Sequence, residues 1–200
     1  MKLSDFLNTH KSTKITNVIL DLDETIISAT SYDEFNHLHN RDKNMKLFTY
    51  HHMSGDYIIA ERPHVQKFLD FLFSNFNVSV WTAASKSYAL FVIENVILSR
   101  DKRKLDYILY SSHCDISKNS TDCIKNLDQL FHIYGYNKNN TLIIDDNLEV
   151  FSKQSNKVIN IKPFISLKEK SEKDTELLKI EKFLSELIKN NGGKNRSIHH

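Results

Sequence analysis

Asn17-Val18-Ile19-Leu20-Asp21-Leu22-Asp23-Glu24-Thr25 runs from branched apolar residues straight into acids. The apolar part is nearly continuous, as in a parallel strand covered on both faces, where strict alternation is lost. Three more runs share its character: Val78-Ser79-Val80-Trp81, Thr141-Leu142-Ile143-Ile144 and Val158-Ile159-Asn160-Ile161, with Tyr107 to Tyr110 as a shorter one. Between them lie helical periods. Pro63 suits a first helical turn, and Val65, Phe68, Leu69, Leu72, Phe73 and Phe76 follow on one face. Ser85 is placed to cap a helix that buries Ala89, Val92, Ile93 and Val96. A helical segment is expected from about Cys123 to Phe131, and a terminal one from about Asp174 to Lys189. Strands alternating with helices predict an α/β fold, a doubly wound, mostly parallel sheet flanked by helices. Residues 28 to 60 are polar, aromatic and irregular, with a turn at Ser54-Gly55-Asp56, and predict a small β insertion, or flap, after the first strand. A single domain over 1–189 is expected, with 190–200 a disordered tail.

Composition narrows the class. Apolar residues make up 40% and charged residues 26% of 200 residues, the profile of an ordinary globular domain. A net charge of +2 gives no broad basic field, so direct nucleic-acid binding is not expected. The basic run Arg100-Asp101-Lys102-Arg103-Lys104 reads as a solvated helix end or loop. Cys114 and Cys123 are too few for a disulfide framework and point to a reducing compartment. No stretch is long enough to span a bilayer, and residues 1–14 lack the apolar core of a secretory signal. An intracellular monomer, nuclear or cytoplasmic, is expected.

In a doubly wound sheet, ligands bind beyond the carboxyl ends of the strands. Asp21 and Asp23, Thr82, and Asp145 with Asp146 all stand at such ends. Two carboxylates about 4 Å apart repel by about 4 kcal/mol at an effective dielectric near 20. Three or four in one crevice therefore call for a divalent cation. Magnesium fits best, since it takes hard oxygen ligands and keeps sites for a phosphate. With the phosphate charge so screened, Asp21 is placed to attack phosphorus and form an aspartyl-phosphate, and Asp23 to protonate the leaving oxygen and then deprotonate water. Lys125 and the Thr82 hydroxyl are suited to hold phosphoryl oxygens.

The order of these residues resembles the haloacid dehalogenase (HAD) superfamily. Asp21-Leu22-Asp23-Glu24-Thr25, Glu61-Arg62-Pro63-His64-Val65 and Trp81-Thr82-Ala83-Ala84-Ser85 with Tyr88-Ala89 are similar to its NLI-interacting-factor-like branch, the RNA polymerase II C-terminal-domain phosphatases. The resemblance runs from about Val18 to Phe164. It implies a HAD-like fold and a magnesium-dependent protein serine/threonine phosphatase. Asp21 would be nucleophile and metal ligand, and Asp23 the acid/base that lends its backbone carbonyl to the metal. Thr25 would support the motif loop and the phosphate site, Thr82 and Ala83 would bind phosphate, and Lys125 would steady nucleophile and phosphate. Asp146 would ligate the metal directly, and Asp145 through water.

Departures from the family concern the substrate. Ser111 stands where small members carry an arginine, and Asn147-Leu148-Glu149 replaces Ser-Pro after the second acid pair. The flap does not visibly reproduce a proline-selecting pocket, and Phe35, Leu47, Phe48 and Tyr50 are expected to serve flap packing. Two alternatives stay open: a HAD phosphatase for a small molecule or a nucleic-acid 3′-phosphate, and a non-catalytic binding module of the same fold.

Overall fold

The first strand, β1 (Asn17–Leu20), is buried along its whole length because it lies in the middle of a sheet covered on both sides. In this computed structural model, residues 14–38, 45–53, 55–116 and 123–190 are described. The chain continues through β2 (Ile27–Ser31), α1 (Tyr32–Asn36), β3 (Tyr50–Met53), β4 (Tyr57–Glu61), α2 (Val65–Asn75), β5 (Asn77–Trp81), α3 (Lys86–Val92) and β6 (Leu105–Leu109). It closes with β7 (Asp115–Ile116), β8 (Cys123–Ile124), β9 (Thr141–Asp145), α4 (Leu148–Lys153), β10 (Val158–Asn160) and α5 (Glu176–Asn190).

The central sheet has five strands in the order β10-β9-β1-β5-β6, every pair parallel. Alternate residues of a strand face opposite sides. Val18 and Leu20, with Val78, Val80, Leu142 and Ile144, meet α2, α3 and α5 through Phe68, Leu69, Val92, Leu177 and Leu184. Ile19, Trp81 and Ile143 face the other way, onto Leu127, Leu130, Tyr136 and Val150. The register sets Leu20 beside both Val80 and Ile144, so the three chains run out of the sheet at one level. That level is where the polar residues begin.

The α/β architecture with a mostly parallel sheet agrees with the sequence pattern. The insertion contains β2, β3 and β4, an antiparallel sheet in the order β2-β4-β3. Gly55, at φ 82°, supplies the left-handed turn residue between β3 and β4. Phe35 is buried, Tyr50 lies edge-on to both Phe35 and Phe48, and Phe48 meets Phe164 in the same way, so these rings pack the flap onto the domain. Leu47 remains 39% exposed.

Several details differ from expectation. Pro63 lies before α2, whose cap is His64 in a left-handed conformation at φ 70°. The expected helix from Cys123 to Phe131 is replaced by the short strand β8 and a 3₁₀ turn over Leu127–His132. The β7–β8 ribbon takes Cys123 and Ile124 into antiparallel pairing. Arg103 is buried beside Asp70 instead of solvated. Cys114 is disulfide-bonded, where the count of two cysteines points to a reducing compartment. Residues 1–13 and 191–200, including nearly all of the expected tail, lie outside the described residues. Among the described residues no helix is long and apolar enough to cross a membrane.

Candidate active site

Beyond Leu20 the chain stays in register with β9 for one more step, Asp21 N–H donating to Ile144 O at 3.1 Å. Asp21 is thereby level with Asp145, the last residue of β9. The amides of Ile26 and Ile27 then turn back onto Leu22 O, at 2.9 and 3.2 Å, and Glu24 takes a left-handed φ of 55°. This tight loop holds Asp23 next to the crevice while Asp21 stays buried at its floor.

Lys125 is the centre of charge. Its Nζ lies 2.5 Å from Asp21 Oδ1 and 2.8 Å from Asp145 Oδ2, and all three side chains are buried. Burial works against the ammonium charge, yet the two carboxylates outweigh it and hold Lys125 above the usual lysine value. The residue arrives on the turn after β8, not on a helix. Gln154, just past α4, braces that turn from both sides: its Nε2 donates to Lys125 O at 2.5 Å, and its Oε1 accepts from Leu127 N–H at 3.2 Å.

One ammonium faces several acids. Oxygens of Asp21, Asp145 and Asp146 all lie within 4.8 Å of one another. Burial pushes the Asp21 carboxyl up to about 8, opposed by Lys125 and reinforced by Asp145. Asp146 is pushed up to about 6 by burial and then by Asp145. Such a set suits a hard divalent cation, whose charge would relieve the repulsion among the carboxylates. Asp145 already accepts from Lys125 through Oδ2 and from Asn147 N–H through Oδ1, at 2.8 Å each. Asp146 is less committed, with the Thr25 hydroxyl 3.2 Å from its Oδ1 and 3.4 Å from Asp21 Oδ2.

Asp23 sits apart from the acid cluster. Its Oδ1 accepts from the Tyr88 hydroxyl at 2.5 Å. Burial raises its carboxyl above the ordinary value, and the Tyr88 hydrogen bond pulls the other way. Thr82 continues β5 beyond Trp81; it is buried, its N–H donates to Leu109 O at 3.0 Å, and its hydroxyl accepts from Ala84 N–H at 3.1 Å. Ala83, next to it, is exposed.

Of the residues singled out in the sequence, the structure brings Asp21, Lys125, Asp145, Asp146 and Thr25 into one contact network. Asp23 and Thr82 stand at the ends of adjoining strand segments around it. Sequence reasoning assigns no role to Arg62, Tyr88 or Gln154. Arg62 and Tyr88 lie inside the quoted motifs, and Tyr88 also stands three residues after the capping Ser85. Gln154 carries no motif at all.

A family model described as NLI interacting factor-like phosphatase matches residues 16–194. The chain is 39% identical over 176 residues to the CTD phosphatase-like protein 355R of Invertebrate iridescent virus 6, covering 84% of this chain and 97% of that one. It is 27% identical over 177 residues to the CTD small phosphatase-like protein 3 of Caenorhabditis elegans, covering 87% of this chain and 55% of the other. Among solved structures it superposes on the fission yeast RNA polymerase II CTD phosphatase Fcp1 bound to beryllium fluoride, with a TM-score of 0.54 and 21% identity, covering 92% of this chain and 53% of that one. A β-phosphoglucomutase-type structure from Thermotoga maritima shares the fold at a TM-score of 0.53 and 11% identity, covering 86% of this chain and 99% of that one. With the motifs at the strand ends and the family match spanning nearly all of the described fold, this chain belongs to the NLI interacting factor-like phosphatases, on a HAD-like α/β scaffold.

Proposed function

We propose that the chain is a magnesium-dependent phosphatase for phosphoserine and phosphothreonine in proteins, with substrates like the RNA polymerase II C-terminal domain. The observation that carries the reading is Lys125 bonded between Asp21 and Asp145, with Asp146 completing an acid cluster. The names of the viral and animal relatives favour a phosphoprotein over a small molecule.

In this reading Asp21 is the nucleophile. An oxygen of Asp21 attacks phosphorus, the bond to the leaving oxygen breaks, and Asp23 supplies that oxygen with a proton. Water then attacks the aspartyl-phosphate and gives its proton back to Asp23. Lys125 keeps Asp21 oriented and balances charge on the phosphoryl group, while the Thr82 hydroxyl and the Ala83 amide hold its oxygens, and Thr25 steadies the loop. Asp21, Asp146 and the Asp23 carbonyl would hold magnesium, with Asp145 linked through water. When bound, the ion supplies charge neutralisation that lets a carboxylate approach a phosphate.

Purified protein with magnesium should hydrolyse p-nitrophenyl phosphate and phosphoserine peptides, and Asp21→Asn should reduce both by at least about 10³-fold. A phosphosubstrate panel separates the alternatives. Preference for nucleotides or sugar phosphates over phosphopeptides would overturn the protein substrate. No turnover on any of them would overturn the enzymatic reading.

A further inference from the structure

The geometry points to Tyr88 as the positioning residue that holds Asp23 for proton transfer, with Tyr57 of the flap holding Tyr88 in turn. This rests on the reading of Asp23 as the acid/base. Tyr88 lies in the first turn of α3, where its N–H donates to the Ser85 hydroxyl at 3.4 Å, so the helix cap anchors the residue that carries the phenol. The phenol is buried and donates to Asp23 Oδ1 at 2.5 Å, across 65 positions of sequence. A phenol facing a carboxylate oxygen has its O–H directed at that oxygen, so Tyr88 is the donor of the pair.

The second contact comes from the insertion. Tyr57 opens β4, paired with Ser31 on one side and Met53 on the other. Its ring meets the Tyr88 ring edge-on, centroids 5.5 Å apart at 83°. The flap sheet thereby reaches Asp23 through two aromatic rings. A carboxyl group left alone rotates, and its two oxygens exchange. With Oδ1 engaged by Tyr88, the proton is carried on Oδ2.

In the first half-reaction the Asp23 Oδ2–H proton passes to the leaving oxygen as the bond between that oxygen and phosphorus breaks and the Asp21 oxygen–phosphorus bond forms. In the second, Oδ2 takes a proton from water as the water oxygen bonds to phosphorus and the aspartyl oxygen departs. A serine alkoxide is a poor leaving group and needs that proton. A p-nitrophenolate leaves without it. Loss of the Tyr88 hydroxyl therefore acts selectively on the first half-reaction, which kcat/KM reports, while hydrolysis of the aspartyl-phosphate slows alike for both substrates.

The test compares kcat and KM of Tyr88→Phe, Asp23→Asn and the double variant on a phosphoserine peptide and on p-nitrophenyl phosphate, with thermal midpoints measured alongside. Tyr88→Phe should lower kcat/KM on the peptide at least about tenfold more than on the aryl phosphate, within the range general acid catalysis contributes. The double variant should be no slower on the peptide than Asp23→Asn alone, because both changes remove one function. Tyr57→Leu should show the same bias in weaker form, and it carries the test if Tyr88→Phe does not fold. Equal losses of kcat/KM on both substrates, or losses that multiply in the double variant, would overturn the inference. Asp23→Asn serves as the control for the underlying reading: if it shows the leaving-group bias and Tyr88→Phe does not, only the role of Tyr88 falls.

Discussion

Arg62 and Asp174 form a two-pronged ion pair, Nε to Oδ1 at 2.9 Å and Nη2 to Oδ2 at 2.8 Å, joining the segment before α2 to a residue whose Oδ1 also accepts from Glu176 N–H at the head of α5. The same guanidinium donates to Thr25 O at 2.8 Å, Glu24 O at 3.2 Å and Lys162 O at 2.8 Å. It is a planar donor with five N–H groups, a task a lysine cannot repeat. Arg62→Met would leave three backbone carbonyls and a carboxylate short of a donor. We expect a loss of about 3–5 kcal/mol in urea unfolding, with activity falling as the Asp21–Thr25 loop loosens.

Lys125→Met should all but abolish turnover, since Asp21 and Asp145 would then face each other without a cation. The metal-free variant should also melt lower than the parent, because two buried carboxylates lose their partner. Added magnesium should recover more of that loss than it adds to the parent. Calorimetry with and without chelator measures both effects.

Magnesium itself should stabilise the folded chain. At about 100 times its dissociation constant the gain is about 2.7 kcal/mol, several degrees in the midpoint for a domain of this size. Asp146→Asn should cut the gain sharply while leaving the metal-free midpoint equal or higher, since it removes repulsion from the cluster.

Asp70 provides a pH dependence away from the site. Hydrogen bonds from Arg103 hold its carboxyl below the usual aspartate value. In the unfolded chain it titrates near 4, so the pairing stabilises above that pH and its contribution is lost as pH falls through the lower folded value. Asp70→Asn should lower the midpoint at pH 7 by about 1–3 °C, a small shift because Asp70 is half exposed. The gap between variant and parent should close below pH 4.

The buried strands were legible because a parallel sheet covered on both faces needs unbroken apolar runs, and Val18 to Leu20 and Leu142 to Ile144 supply them. The acids were legible because they end those runs. Lys125 was legible as a residue but not as a placement: Ile124, Leu127, Leu130 and Phe131 sit at helical spacing, yet the chain pairs β7 with β8 and winds a 3₁₀ turn. Local periodicity does not register a bracing contact from Gln154, which lies 29 positions away. Arg103 misled for a related reason. A basic run reads as solvated, and only the folded chain brings Asp70 and the carbonyls of Gln66 and Ile97 around one member of it.

The excursion that makes the flap leaves and re-enters the domain at one point, where Arg62 N–H donates to Ile26 O at 3.0 Å and Ile27 pairs with Glu61. That neck is tied on the domain side too, since Glu24 O accepts from Phe164 N–H at 2.7 Å. The chain enters and leaves the excursion through two adjacent crossings, and the ring contacts of Phe48 with Phe164 and Tyr57 with Tyr88 hold it against the domain. An excursion of another length can be grafted between the same two crossings at little entropic cost, provided it keeps a ring against Tyr88. Substrate preference on this scaffold is therefore free to diverge by swapping one appendage, while the reaction beneath it stays the same.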